Sequence, residues 1–138
     1  MDFDTFVRDG RVILGEKDLQ KAKALVKIAE NNIKFAGTLK VNEISASPAF
    51  VLSYEALREI LEAICLVKGY KVYSHEAFTF YLRKIGENNI AEHFDRFRKL
   101  RNGVNYYGKA IPVDIAVDSI KRIKSMCLDL KDRYLVDL

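Results

Sequence analysis

At 138 residues, 49% hydrophobic and 30% charged, the chain can bury one core without disulfides or metal and is too apolar to be a disordered segment. Its net charge of +4 and pI near 9.0 suit RNA, nucleotide phosphate or an acidic protein, and select none of them. No apolar signal core opens the chain and no apolar run approaches the ~18 residues of a membrane span, so a cytoplasmic protein without a membrane partner is expected.

Seven glycines and two prolines leave few breaks, which favours long helices. A short N-terminal piece carries Phe3, Phe6 and Val7. A first long helix is expected from about Glu16 to Ala36, with Leu19, Ala22, Val26, Ala29 and Ile33 at three- and four-residue spacing and Gly37 as its C-cap. The segment from Thr38 to Ala46 has room for a brief extended piece. Ser47-Pro48 reads as N-cap and first helical residue of a second helix, lined by Phe50, Leu57, Ile60, Leu61, Ile64 and Val67. A third runs from Ser74 to about Ile85 and a fourth from about Asn89 to Tyr106. A fifth follows Pro112 and carries Ala116, Ile120, Ile123, Cys127 and Leu130. Such helices on short loops predict one all-α domain over residues 1–138, an up-and-down bundle of four or five helices.

The fourth helix raises the functional question. On a wheel of ~100° per residue with Ile90 at zero, Phe94 lies at ~40°, Phe97 at ~340° and Val104 at ~320°. Arg101 falls at ~20°, inside this apolar arc, with Asn105 at ~60° and Arg98 at ~80°, whereas Lys99 points to the opposite side. A guanidinium on an apolar face is costly unless paired or wet. Glu55, Glu59 or Glu62 of the second helix could pair with it, its stem could carry it out past the helix end, or the face could line a cleft or dimer seam where arginine meets phosphate. Tyr106, Tyr107 and Lys109 follow at the helix end, and cations interleaved with tyrosines suit a nucleotide or single-stranded RNA.

Other chemistry is thinly represented. Cys65 and Cys127 lie in apolar stretches without a CxxC, so buried thiols are expected and no metal site or cofactor is indicated. The segment "RDGRVILG" lacks the phosphate-loop pattern, and Asp129 and Asp132 read as a solvated face.

Two stretches, "SYEALREILEAICLVKGYKVYSHEAFTFYL" (Ser53 to Leu82) and "FRKLRNGVNYYGK" (Phe97 to Lys109), resemble the HEPN superfamily, helical domains found beside minimal nucleotidyltransferases in prokaryotes. With the first and last helices the likeness spans about residues 15 to 135. It implies a homodimeric helical bundle whose polar motif faces a cleft at the dimer interface. In active members an arginine, four to six residues and a histidine form a metal-independent ribonuclease site. Other members are toxins paired with antitoxins, or serve as substrate-binding partners of a small nucleotidyltransferase protein.

Carried onto this chain, Arg101 and Asn102 match the arginine and its polar neighbour, but the histidine position holds Tyr106 counted from Arg101, or Asn105 counted from Arg98. Neither side chain titrates near neutral pH. The resemblance thus implies a module that binds nucleotide or RNA phosphate through Arg98, Arg101, Asn102, Asn105, Tyr106 and Lys109. The alternatives are a ribonuclease toxin using Arg101 with Tyr106 or a dimer mate's His93, and a structural bundle without ligand. His93 lies ~12 Å from Arg101 along the helix axis, too far to share a phosphate within one chain. His75, in the first turn of the third helix, reads as a side chain bonded to its neighbours.

Overall fold

The computed structural model describes residues 1–138 and is 72% helical, an all-α helical bundle with one very small sheet. Helix α1 (Phe3–Arg8) opens on a capping box, with Asp2 accepting from the Thr5 N–H at 2.9 Å, and buries Phe3 and Phe6 against Tyr70, Tyr81 and Phe80. Strand β1 (Val12–Leu14) follows. Helix α2 (Leu19–Thr38) starts at Asp18, whose carboxylate accepts from the Lys21 N–H, and turns Ala22, Ala29 and Ala36 toward the core. Small residues every seven positions let it lie close along α3, the most extensive helix pairing in the molecule.

Helix α3 (Ala46–Val67) is the centre of the bundle and touches α2, α4, α5, α6 and the sheet. Strand β2 (Tyr70–Val72) leads into α4 (Glu76–Lys84), which pairs with α5 (Asn88–Tyr107), and α6 (Val113–Tyr134) returns along α3. One continuous core of 31 buried residues joins these elements, and no helix is long and apolar enough to cross a membrane. Cys65 and Cys127 are buried free thiols, and Leu135 tucks the C-terminal segment onto the core.

The expected apolar faces are mostly the buried ones, but several boundaries move. Helix α2 runs through Gly37, and its end closes where the Thr38 hydroxyl donates to the Phe35 carbonyl. Its Leu19 is half exposed rather than core. Helix α3 begins before Ser47, because Pro48 within a first turn lacks only an N–H that the helix does not use there. The Ser47 hydroxyl instead accepts from the Ile111 N–H at 2.9 Å, tying α3 to the loop before α6. Residues 39–45 form a turn around Asn42, which accepts from the Ile44 and Ser45 N–H groups, not an extended piece.

The unforeseen element is the sheet. β1 pairs antiparallel with β2, Val12 opposite Val72 and Leu14 opposite Tyr70. Just beyond the pair, Gly15 N–H donates to the Gly69 carbonyl at 2.7 Å, and a Cβ on Gly69 would stand 2.4 Å from the Gly15 oxygen. Gly69 also has φ +86°. Gly69→Ala is therefore expected to cost about 1–3 kcal/mol, read as a lower urea midpoint, since the left-handed backbone and the crowded carbonyl must both be tolerated.

Candidate functional site

The cleft between α3, α5 and the turn before α4 is assembled from three separated stretches of sequence. Tyr73, Ser74, His75 and Glu76 form one wall, and Arg98, Arg101, Asn102 and Tyr106 of α5 form the other, around about 520 Å³. Tyr54 and Glu55 of α3 approach Arg101 from below. Helix α5 delivers its side chains here because Ile90, Phe94 and Phe97 bury its apolar stripe, which fixes its rotation. Gly108 then stops the helix with φ +63°, leaving Tyr106 and Tyr107 exposed at its end.

Arg101 sits where the wheel puts it, with only 18% of its side chain exposed. Its satisfaction is incomplete. Nη2 lies 3.6 Å from Glu55 Oε1, and Nη1 reaches Asn102 Oδ1 at 3.5 Å, the outer limit for a hydrogen bond. The Nε N–H is buried and has no acceptor. The guanidinium lies 5.9 Å from the Tyr54 ring centre and 5.8 Å from that of Tyr106. Glu55 is already engaged by Arg58 at 2.9 Å, while Glu62 pairs with Arg58 and Glu59 accepts from Asn32. Of the three acids considered as partners, only Glu55 reaches Arg101, and loosely.

Arg98 differs. It donates to Asp95 at 2.9 Å and reaches Glu76 at 3.4 Å, with 14% of its side chain exposed. Burial works to raise the Asp95 carboxyl, but hydrogen bonds from Arg98 and Lys99 outweigh it and hold the group below its ordinary value. Arg98 thus braces α4 against α5, and Arg101 is the guanidinium with capacity to spare.

The cleft also contains a histidine. His75 precedes the first residue of α4, makes no capping bond, and shares a 3.1 Å hydrogen bond between Nδ1 and the Tyr54 hydroxyl. Burial pushes the Tyr54 phenol far above its usual range, despite the opposing pull of Arg101, so it stays protonated. Burial is also the chief cause lowering His75 below its ordinary value, with the Arg58 charge next; Arg101 adds to this and Glu55 opposes it. The unfolded chain therefore takes up a proton near pH ~6.5 that the folded chain refuses. The stability tied to neutral His75 is whole above that pH and is lost as pH falls toward the folded value. Urea midpoints measured from neutral to mildly acid pH should fall more steeply for the wild type than for His75→Gln.

Arg98, Arg101, Asn102 and Tyr106 thus come together, as their spacing on one helix allowed. Asn105 is exposed outside the cleft, and Lys109 folds back over Gly103 with its ammonium 6.0 Å from the Tyr107 ring. His93 lies on the other side of α5, facing α6. What the sequence left unassigned is the opposite wall, where only the Ser-His-Glu opening of α4 gave a hint. The chain matches no protein-family model, no curated protein and no solved structure.

Proposed function

We propose that the chain is a HEPN-type helical module that binds RNA or nucleotide phosphate in the Arg101 cleft, acting as a homodimer and as the partner of a small nucleotidyltransferase in a toxin–antitoxin-like pair. The observation that carries this reading is the guanidinium of Arg101: largely buried, held by one acid at 3.6 Å, and with an Nε N–H that nothing accepts. A phosphate entering the cleft would accept from the two Nη groups, which their present partners hold only at 3.6 and 3.5 Å, and a guanidinium engages such an anion through two donors at once. Tyr73 and Tyr106, both about two-thirds exposed on opposite walls, offer ring faces for bases. The resemblance carries the partner and the dimer, which co-purification and light scattering would test. The binding test is fluorescence anisotropy of a labelled single-stranded RNA and of a labelled nucleotide. Unchanged affinity for both in Arg101→Ala would sink the reading.

His75 favours a second reading, in which the cleft cuts RNA without metal. Arg101 would hold the scissile phosphate; His75, donating its Nδ1–H to Tyr54, would take the 2′-hydroxyl proton at Nε2 as the 2′-oxygen attacks phosphorus, and the P–O5′ bond would break with the 5′-oxygen taking a proton from water. Products ending in a 2′,3′-cyclic phosphate, formed in the presence of a chelator and lost in both Arg101→Ala and His75→Ala, would establish it. Intact RNA after long incubation with the wild type, from mildly acid to neutral pH, would leave binding as the function.

A further inference from the structure

The face of α5 turned away from the Arg101 cleft holds a second cluster of donors that lack acceptors. His93 Nδ1 lies 3.2 Å from Arg96 Nη2, and His93 Nε2 lies 3.3 Å from Arg122 Nη1 of α6. A neutral imidazole offers one lone pair, an imidazolium offers none, and guanidinium groups only donate. At most one of the two contacts is therefore a hydrogen bond, and the other sets N–H against N–H. No carboxylate relieves this: Arg96 and Arg122 belong to none of the molecule's ten ion pairs. Asp118 borders the same surface but pairs with neither.

The cluster is accessible. Arg96 and Arg122 are exposed, and His93 is half-buried with its ring nearly parallel to that of Phe97. A groove of about 790 Å³ between the start of α5 and α6 is bordered by His93, Lys121 and Arg122, by Arg133 paired with Glu87, and by Asp118 and Asp129, and a hollow of about 460 Å³ on its flank holds Arg96, Ser119 and Arg122 beside Asp118. An anion with several oxygens placed here would accept from both guanidinium forks and from the one imidazole N–H. A phosphate group has the oxygens to do so.

We infer that Arg96, His93 and Arg122 form a second phosphate-binding site, filled by another phosphate of the single RNA strand whose first phosphate occupies the Arg101 cleft. The identity of that ligand rests on the reading given above. The path between the two sites is set by α5 itself. From Ile90 the cations step around its surface from Arg101 at ~20° and Arg98 at ~80° through Lys99 at ~180° to Arg96 at ~240° and His93 at ~300°. Arg96 and Arg101 are ~7.5 Å apart along the axis of a helix about 10–12 Å wide. Lys99, paired with Asp95 at 3.1 Å, has 69% of its side chain exposed midway across. A strand of a few nucleotides can cross that distance, whereas a mononucleotide reaches one site only.

The experiment uses the full chain and a labelled single-stranded RNA of about 12 nucleotides, within the ~4–16 nucleotide footprint of single-strand binders. Affinity is measured at several salt concentrations for the wild type, Arg122→Gln, Arg96→Gln and Arg101→Ala. The first two variants replace exposed, unpaired side chains, and a thermal melt checks that they fold. Arg122→Gln and Arg96→Gln are each expected to weaken binding about tenfold and to make the log–log salt slope shallower by ~0.7 for each phosphate no longer neutralised. The His93 ring resonances should shift on adding the RNA. Wild-type affinity and slope in both glutamine variants, with binding still lost in Arg101→Ala, would overturn this site and leave the cleft reading standing. Binding that depends on Arg122 and Arg96 but not on Arg101 would keep this cluster as a phosphate site but overturn both the cleft and the strand shared between them. An RNA that the wild type does not bind would sink both.

Discussion

Arg101→Ala is expected to weaken binding of single-stranded RNA by about 10–150-fold while lowering stability by no more than ~1–2 kcal/mol. The binding figure follows from hydrogen bonds to a charged group, each ~1.5–3 kcal/mol, at 1.4 kcal/mol per tenfold in affinity. The stability figure is small because the Arg101–Glu55 contact is long and Glu55 keeps Arg58 when Arg101 is removed. Had Arg101 been the sole partner of a buried carboxylate, losing it would strand that charge at a cost of about 3–5 kcal/mol. Urea denaturation and RNA titration of the same variant therefore separate a ligand-holding arginine from a structural one. A large stability loss with intact binding would make Arg101 a strut between α3 and α5. Glu55→Gln sharpens the comparison: it releases the one acid competing for Arg101 and should tighten RNA binding.

Phe94→Ala should be the most damaging single change near the cleft, costing about 3–5 kcal/mol out of the ~5–15 kcal/mol typical of a domain. Phe94 is fully buried, stacks on Tyr54 with ring centres 5.6 Å apart, and lies perpendicular to Phe78 with ring centres 6.1 Å apart. Removing its ring opens a cavity beneath Tyr54, the residue that holds His75 by its hydroxyl and lies under the Arg101 guanidinium. Stability and RNA binding should therefore fall together, unlike in Arg101→Ala. Phe94→Leu, which fills most of the space, should cost less than Phe94→Ala and retain binding. A urea midpoint for Phe94→Ala close to that of the wild type would show that the core there collapses to fill the gap.

The long helices were legible because each has one apolar stripe at three- and four-residue spacing, and this periodicity survives errors of a turn at either end. The same spacing placed Arg101 against α3 and Lys99 in solvent. Periodicity gives an angle but not what a neighbouring element provides at that height, so Asn105, close to Arg101 on the wheel, fell outside the cleft. The sheet was invisible for a different reason. Its strands have three residues each, too short to show alternation, and each finds its partner far along the chain. With the sheet went the cleft's second wall, because β2 aims the turn that carries Tyr73 and His75. The unpaired arginines beside His93 could not be foreseen either, since lacking an acceptor is a property of coordinates, not of spacing.

The β1–β2 pair has a consequence for the order in which the molecule is built. Each helix, and the α4–α5 hairpin, can form from residues close in sequence, whereas β1 must wait for β2 until all of α2 and α3 have been laid between them. Closing so long a loop costs entropy that only the completed bundle repays. The Tyr73 N–H donates to the Arg11 carbonyl at 2.8 Å, so the wall bearing His75 is held by this long-range clasp. Detaching the chain's first fifteen residues would thus leave Arg101 on α5 but free the surface that faces it.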